Sequence, residues 1–373
     1  MNETYNKLFE TIDFRRGLQL KNRVVMAPMT NFSSNPDGTV SDDEVNYYIR
    51  RSKGVGMVIT ACTNVTANGQ GFPGEFAGDR DEMIPSLRKL ATAIKAQGAK
   101  AVLQIFHGGR MCPTDLVPNG DIVSASAIAA AEQGPVPRAL NEKEVEDIIH
   151  AFGETTRRGI EAGYDGVEIH GANGYLIQQF FSPHSNLRED RWGGTLEKRM
   201  TFPMAIVDEV KRVVDTHAKD PFIIGYRFSP EEASTPGITM ADTLELVNAL
   251  ADKELDYLHI SLMEFDSSPR RGVDDARTRL ELVLDKASNR VPVIGVGSIQ
   301  TAEDARKAME TGVPLIALGR QLIIDPDWVE KIQEDRASEI ETKLDLTGQD
   351  RLVIPKPLWN AIVSSPGWFP GVE

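Results

Sequence analysis

The chain has 373 residues, of which 41% are apolar and 26% charged, with a formal charge of -14 at pH 7. That length suffices for one large α/β domain with a substantial core. The negative charge argues against a general nucleic-acid surface and against anionic lipid, so an anionic ligand needs a locally positive pocket. Two cysteines, Cys62 and Cys112, exclude a disulfide framework and a four-thiolate cluster, and no metal site is read. No run of about 18 apolar residues occurs, so no membrane helix is expected. The start Met1-Asn2-Glu3-Thr4-Tyr5 lacks the basic and apolar segments of a secretory leader, which points to the cytoplasm.

Residues 8–22 set Ile12-Asp13-Phe14 and Leu18-Gln19-Leu20 about the turn Arg15-Arg16-Gly17, a short hairpin ahead of the main fold. Val24 to Pro28 reads as a first buried strand. A helix over 41–52 starts at the cap Ser41 with an acidic first turn, and the strand Gly56 to Thr60 follows. A helix over 82–97 leads to the strand Ala101 to Ile105. After a Gly/Pro-rich excursion over 107–138 comes a helix over 141–162, with Asn141 and Glu144 spaced as a capping box, and then a strand over 165–169. The alternation continues with helix 197–214 and strand 222–226, helix 240–251 and strand 257–260, helix 274–287 and strand 291–295, and helix 301–310 and strand 314–318. A last helix begins after Asp325. Eight strands alternating with eight helices imply a parallel sheet closed into a (β/α)8 TIM barrel. An open doubly wound sheet would set a glycine-rich fingerprint after its first strand, where Met26-Ala27-Pro28-Met29-Thr30 stands instead. Without linker or low-complexity stretch, residues 1–373 read as a single domain, with the barrel over about 22–335. The tail over 340–373, with Trp359, Trp368 and Phe369, either packs on the barrel or reaches a neighbouring subunit of a homo-oligomer.

Such barrels build their sites at the carboxyl ends of the strands. Those ends carry Thr30, Cys62, Gln104, His170, Arg227, His259, Ser261, Gly297, Gly319 and Arg320. The fourth end opens into His170-Gly171-Ala172-Asn173-Gly174-Tyr175. His170 and Asn173, three apart, would share one side of a helical turn and hydrogen-bond one oxygen, while the Tyr175 hydroxyl donates a proton. A capped turn with a satisfied histidine is the alternative, and the hexad alone leaves both open. At the seventh and eighth ends, Gly295-Val296-Gly297-Ser298 and Leu318-Gly319-Arg320 combine small residues, nearby helix starts and a guanidinium, which suits a phosphate. Two tight turns without a ligand are the alternative. Glu168, in phase with His170, points into the barrel and needs a partner; Arg227 is a candidate, unless its guanidinium faces a ligand.

Five segments then carry a resemblance: Asn22 to Thr30, Gln104 to Arg110, the hexad with its continuation to Pro183, Asn186 to Arg199, and Leu318-Gly319-Arg320. From about residue 8 to 335 the chain resembles the old yellow enzymes, NAD(P)H-dependent FMN ene-reductases on a (β/α)8 barrel. Larger dienoyl-CoA reductase relatives carry an iron–sulfur cluster and extra nucleotide-binding domains, both missing here. The resemblance implies non-covalent FMN as cofactor, NAD(P)H as reductant, and a small enone or phenolic ligand. It sets Pro28, Met29 and Thr30 along the isoalloxazine edge, with the Thr30 hydroxyl near the C4 carbonyl, and Cys62 offering its backbone to the flavin. Gln104 and Arg227 would bond the pyrimidine edge, and Val296, Gly297, Gly319 and Arg320 the phosphate. His170 and Asn173 would bind the substrate carbonyl, hydride would pass from N5 to Cβ, and Tyr175 would protonate Cα. Thr30 and Asn173 match one branch of the family, another having Cys and His there. In 186–199, Trp192, Thr195 and Lys198 replace commoner Tyr, Ser and Asn; that segment reads as a structural salt-bridge network. Two other readings stay open: a flavin amine dehydrogenase or demethylase on the same barrel, and a non-catalytic flavin-binding protein.

Overall fold

Eight short runs dominated by Val, Ile, Leu and Ala are buried on both faces, the pattern of parallel strands covered by helices. In the computed structural model, which describes residues 3–373, they are β1 (Val24–Met26), β2 (Met57–Asn64), β3 (Lys100–Phe106), β4 (Gly166–Gly171), β5 (Ile223–Phe228), β6 (Tyr257–Ile260), β7 (Val293–Val296) and β8 (Leu315–Leu318). Met1 and Asn2, part of the start read above as lacking a leader, lie outside the described residues. Each strand pairs in parallel with the next, and β8 pairs with β1 at Ala317 and Val25, closing the barrel. The (β/α)8 expectation is met.

The connecting helices start where their sequences say. Ser41 with Glu44, Asn141 with Glu144, Thr239 with Asp242, Thr278 with Glu281 and Thr301 with Asp304 form reciprocal capping boxes. Each stabilises a helix start by about 1 kcal/mol and sets where the chain leaves the preceding loop. The helix expected over 274–287 begins only at Arg279, because Thr278 is the cap and the residues before it belong to a long loop. A short helix, Arg320–Ile324, directly follows β8 ahead of Trp328–Gln333. β2 runs four residues past its expected end, so Cys62 lies within the strand, beyond an irregularity between Ile59 and Cys62.

The hairpin forms as expected, Ile12–Asp13 against Gln19–Leu20. It plugs the amino end of the barrel: Phe14, Leu18 and Leu20 pack with Val25, Met57, Ile59, Val102, Ile223, Tyr257, Ile294 and Leu315. Gly225 makes room there, since a Cβ on it would come 2.1 Å from the Tyr257 ring. The segment 186–199 is the expected structural network: Arg188 pairs with Asp190 and donates to the Ala125 carbonyl, and Asn186 Nδ2 donates to the Phe180 and Trp192 carbonyls. The tail packs on its own barrel, with Leu344, Leu352, Ile354, Leu358, Ile362 and Phe369 in the core. Arg51 holds it by donating to the Leu352 carbonyl at 2.6 Å.

Candidate active site

At the carboxyl end the inward-facing side chains turn polar. Parallel register sets Cys62 beside Gln104, Gln104 beside Glu168, His170 beside Arg227 and Arg227 beside His259. Glu168 is fully buried, and its partners are Gln104, donating from Nε2 at 2.7 Å, and His259, whose Nδ1 lies 2.8 Å away. Arg227 is therefore not its hydrogen-bonding partner. Burial alone would raise the Glu168 carboxyl, but His259, Arg227 and Gln104 outweigh it and hold it below the usual carboxylate range. Burial pushes His259 down, so a neutral imidazole donates its Nδ1–H to a carboxylate.

Arg227 is left free toward the cavity. It donates from Nη2 to Ser261 Oγ at 3.2 Å, while its buried Nε has no partner among the described residues. Eight of the residues singled out from sequence, Pro28, Met29, Asn173, Arg227, Val296, Gly297, Gly319 and Arg320, wall one cavity of about 260 Å³, joined by Trp368 from the tail. Gly297 takes φ +139°, and a Cβ there would strike the backbone of Glu264 and Phe265, so only glycine fits. Arg320 donates to the Trp368 carbonyl at 3.0 Å and to Ser298 Oγ at 3.2 Å, both neutral, and meets no carboxylate among the described residues. In a chain of charge -14, an uncompensated guanidinium over glycine turns is a locally positive pocket for an anion.

The remaining five residues stand beside it. Thr30 Oγ1 lies 3.9 Å from Cys62 Sγ. His170 and Tyr175 sit edge to face at 5.1 Å in a cage with Phe106 and Phe72. His170 belongs to β4, and Asn173 takes the left-handed conformation at φ 58°, so the two do not share a helical turn. They are oriented separately. The Ala172 N–H donates to His170 Nδ1 at 3.3 Å, which leaves the proton on Nε2. Burial, then the nearby Arg227 cation, push that imidazole down to about 3, so it stays neutral. The Asn173 N–H donates to Ser229 Oγ at 2.8 Å, and its Oδ1 accepts from Ser261 Oγ at 2.9 Å, which turns the Nδ2 hydrogens outward as donors. Burial raises the Tyr175 phenol well above its usual value, so it remains protonated.

Ser229 had no signal in the sequence, and Ser261 stood among the strand ends without a role. Trp368 was flagged only as an unplaced aromatic. Gln104 was assigned to a ligand, and its tie to Glu168 shows what holds it in place. No group of three or more His, Cys, Asp or Glu able to hold a metal, and no helix long and apolar enough to cross a membrane, occurs among the described residues.

A closed parallel barrel with a cationic, glycine-walled cavity at its strand ends is the framework of a flavin-dependent oxidoreductase. The chain belongs to the NADH:flavin oxidoreductase / NADH oxidase family, whose model matches residues 7–339, and works with FMN and NAD(P)H. It is 56% identical to the probable NADH-dependent flavin oxidoreductase YqiG of Bacillus subtilis, over 99% of both chains. It is 44% identical to NADH:fumarate oxidoreductase of Klebsiella pneumoniae over 95% of this chain but only 38% of that one. Its fold matches morphinone reductase in complex with tetrahydroNAD with a TM-score of 0.74 at 27% identity, over 88% of this chain and 91% of the other. An old yellow enzyme homologue from Zymomonas mobilis matches with the same TM-score at 25% identity, over 88% and 92%.

Proposed function

We propose that the protein reduces the C=C bond of α,β-unsaturated carbonyl compounds with NAD(P)H. The observation that carries this is the pair of independently oriented donors, His170 Nε2–H and Asn173 Nδ2–H, beside a phenol that stays protonated. The donor set fits FMN: a buried Arg227 Nε without a partner and an Arg320 cation without a carboxylate face one cavity. Arg320, Val296, Gly297 and Gly319 would hold the phosphate, and Arg227, Gln104, Thr30, Cys62, Pro28 and Met29 would line the ring. Bound FMN supplies the hydride relay between NAD(P)H and the substrate carbon.

The protein's own part is charge and proton control. His170 and Asn173 draw negative charge onto the carbonyl oxygen, worth about 10²–10³-fold for a donor of this kind. Their fixed orientation means that this charge meets dipoles already in place. Tyr175 then protonates Cα. The acceptor class is supported by two relatives, the Klebsiella NADH:fumarate oxidoreductase and NADH:acrylate oxidoreductase of Vibrio harveyi, of which the chain spans 38% and 36%. Stopped-flow absorbance separates the half-reactions. Tyr175→Phe leaves flavin reduction by NAD(P)H intact and slows reoxidation by a cyclic enone about 10²-fold or more. Equal slowing of both halves would remove Tyr175 as the proton donor.

A further inference from the structure

An enone presents its carbonyl oxygen and its Cα at a fixed separation, so the donor to the one and the acid to the other must keep a matching separation. That requirement rests on the roles proposed above for Asn173 and Tyr175. The two residues flank Gly174, and the backbone between them is a tight turn. Asn173 has φ 58° and Gly174 φ 81°, and the Tyr175 N–H donates to the Ala172 carbonyl at 3.3 Å. Positive φ at both central positions is the mark of a type I′ turn, for which Asn-Gly is the favoured pair. From within, only that one long bond closes it. A misplacement of about 1 Å in such a site can cost on the order of 10²-fold in rate, so whatever holds the turn bears on the chemistry.

Two consecutive glutamines on the short helix Leu176–Phe181 reach back to it, and both are buried. A glutamine at the third helical position commonly accepts from the N–H of the cap residue. Gln178 passes the cap, Tyr175, and its Oε1 accepts from the Gly174 N–H at 2.9 Å. Its Nε2 donates to Glu232 Oε1 at 2.8 Å, and Glu232 is fixed in the loop after β5 by donors from Ser182 Oγ and the Ile238 N–H. Gln179 takes the other side of the turn, donating from Nε2 to the Gly174 carbonyl at 2.7 Å and to the Gly108 carbonyl at 3.1 Å. Its Oε1 accepts from the Arg110 N–H at 3.1 Å and from Ser124 Oγ at 2.9 Å, so all four hydrogen-bonding positions of that amide are used. A Cβ on Gly109 would strike the Gln179 amide, which fits there only because that residue is glycine. Neither amide is free to flip, since each oxygen faces a backbone N–H.

We propose that Gln178 and Gln179 are positioning residues for the reduction, holding the N–H and the carbonyl of Gly174 and so fixing Asn173 and Tyr175 relative to each other. Gln178 ties the turn to the loop after β5, and Gln179 ties it to the loop after β3. Neither touches a reacting atom. Ser229, from the same loop as Glu232, accepts from the Asn173 N–H at 2.8 Å and completes the support on that side. The Asn-Gly sequence supplies the shape of the turn, and the two amides supply its stiffness.

The test uses the FMN-loaded full chain. Gln178→Met keeps the side-chain volume and removes both of its bonds. Reoxidation of the reduced flavin by 2-cyclohexenone slows about tenfold, reduction by NADH slows less, and the Gly174 amide exchanges with deuterium about tenfold faster or more. In a chain already carrying Asn173→Ala and Tyr175→Phe, Gln178→Met slows reoxidation no further, because the groups it positions are gone; a purely structural role would repeat its full loss there. Glu232→Gln supplies a second variant that leaves the hexad and both glutamines in place. It sets a donor against Gln178 Nε2, so the Gly174 N–H loses its acceptor and both effects recur. Unchanged Gly174 exchange in both variants, or a full additional loss in the doubly substituted background, overturns the proposal. Exchange at Gly174 needs no reaction, so it tests the hold on the turn even where the Tyr175→Phe half-reactions overturn the underlying reading.

Discussion

The two ends of the barrel interior are built from the same eight strands and have opposite chemistry. On β3 the inward side chains pass from Val102 to Gln104, on β5 from Ile223 to Arg227, and on β6 from Tyr257 to His259. With a period of two and about 3.3 Å per residue, the change from apolar to polar takes place within two or four positions. At the amino end, apolar side chains and the hairpin plug exclude water and carry stability. At the carboxyl end, burial of charge is tolerated because Glu168 meets donors from β3 beside it and from β6 beyond β5. Stability and chemistry are thus divided along one axis, and each can be damaged separately.

The largest expected effect comes from the polar end. His170→Ala combined with Asn173→Ala lowers enone turnover by about 10³-fold or more, with the melting temperature nearly unchanged. Phenol binding, followed by its charge-transfer band, disappears in the same variant; retained phenol binding would show that other donors hold the oxygen. At the apolar end, Leu20→Ala empties a fully buried site in the plug. It lowers unfolding free energy by about 2–5 kcal/mol while the folded fraction keeps its turnover per flavin. A large loss of turnover per flavin would mean that the two ends are coupled.

Two buried glutamates sharpen the contrast. Glu168 has an imidazole, a carboxamide and a nearby guanidinium and is held low. Glu44, fully buried on the outer helix Asp42–Ser52, has neutral partners, among them the Ser34 hydroxyl and the Ser41 N–H, and burial raises it to about 7. A carboxyl raised on folding contributes stability that is fully present below its unfolded value and is lost as pH rises through the folded one. Stability therefore falls by about 3 kcal/mol between roughly pH 4.5 and 7 from this group, and Glu44→Gln flattens that slope. Denaturant titrations of both proteins across this range decide it; parallel curves would show Glu44 ionised in the fold. The smallest effect is Ser261→Ala, which removes one hydrogen bond from Asn173 Oδ1. At about 1 kcal/mol it lowers kcat/KM for an enone roughly fivefold, with NADH reduction less affected.

The sequence by itself determined the barrel, because its signals are local. Buried β-branched runs, acidic first turns and caps such as Asn141 with Glu144 act within a few residues of chain, and the structure keeps them. The glycine turns at Gly297 and Gly319 and the cation at Arg320 were legible for the same reason. Tertiary structure alone decided how the polar side chains pair. His259 lies 91 positions from Glu168 and Ser261 lies 88 from Asn173, distances that closure and strand register remove and that no local pattern encodes. The turn expected to join His170 and Asn173 failed because β4 extends through Gly171, its ladder with β5 outweighing a local helical turn. The tail's Trp368 reaches the strand ends only once the chain has packed, since what places it is the surface it covers rather than the residues beside it in sequence.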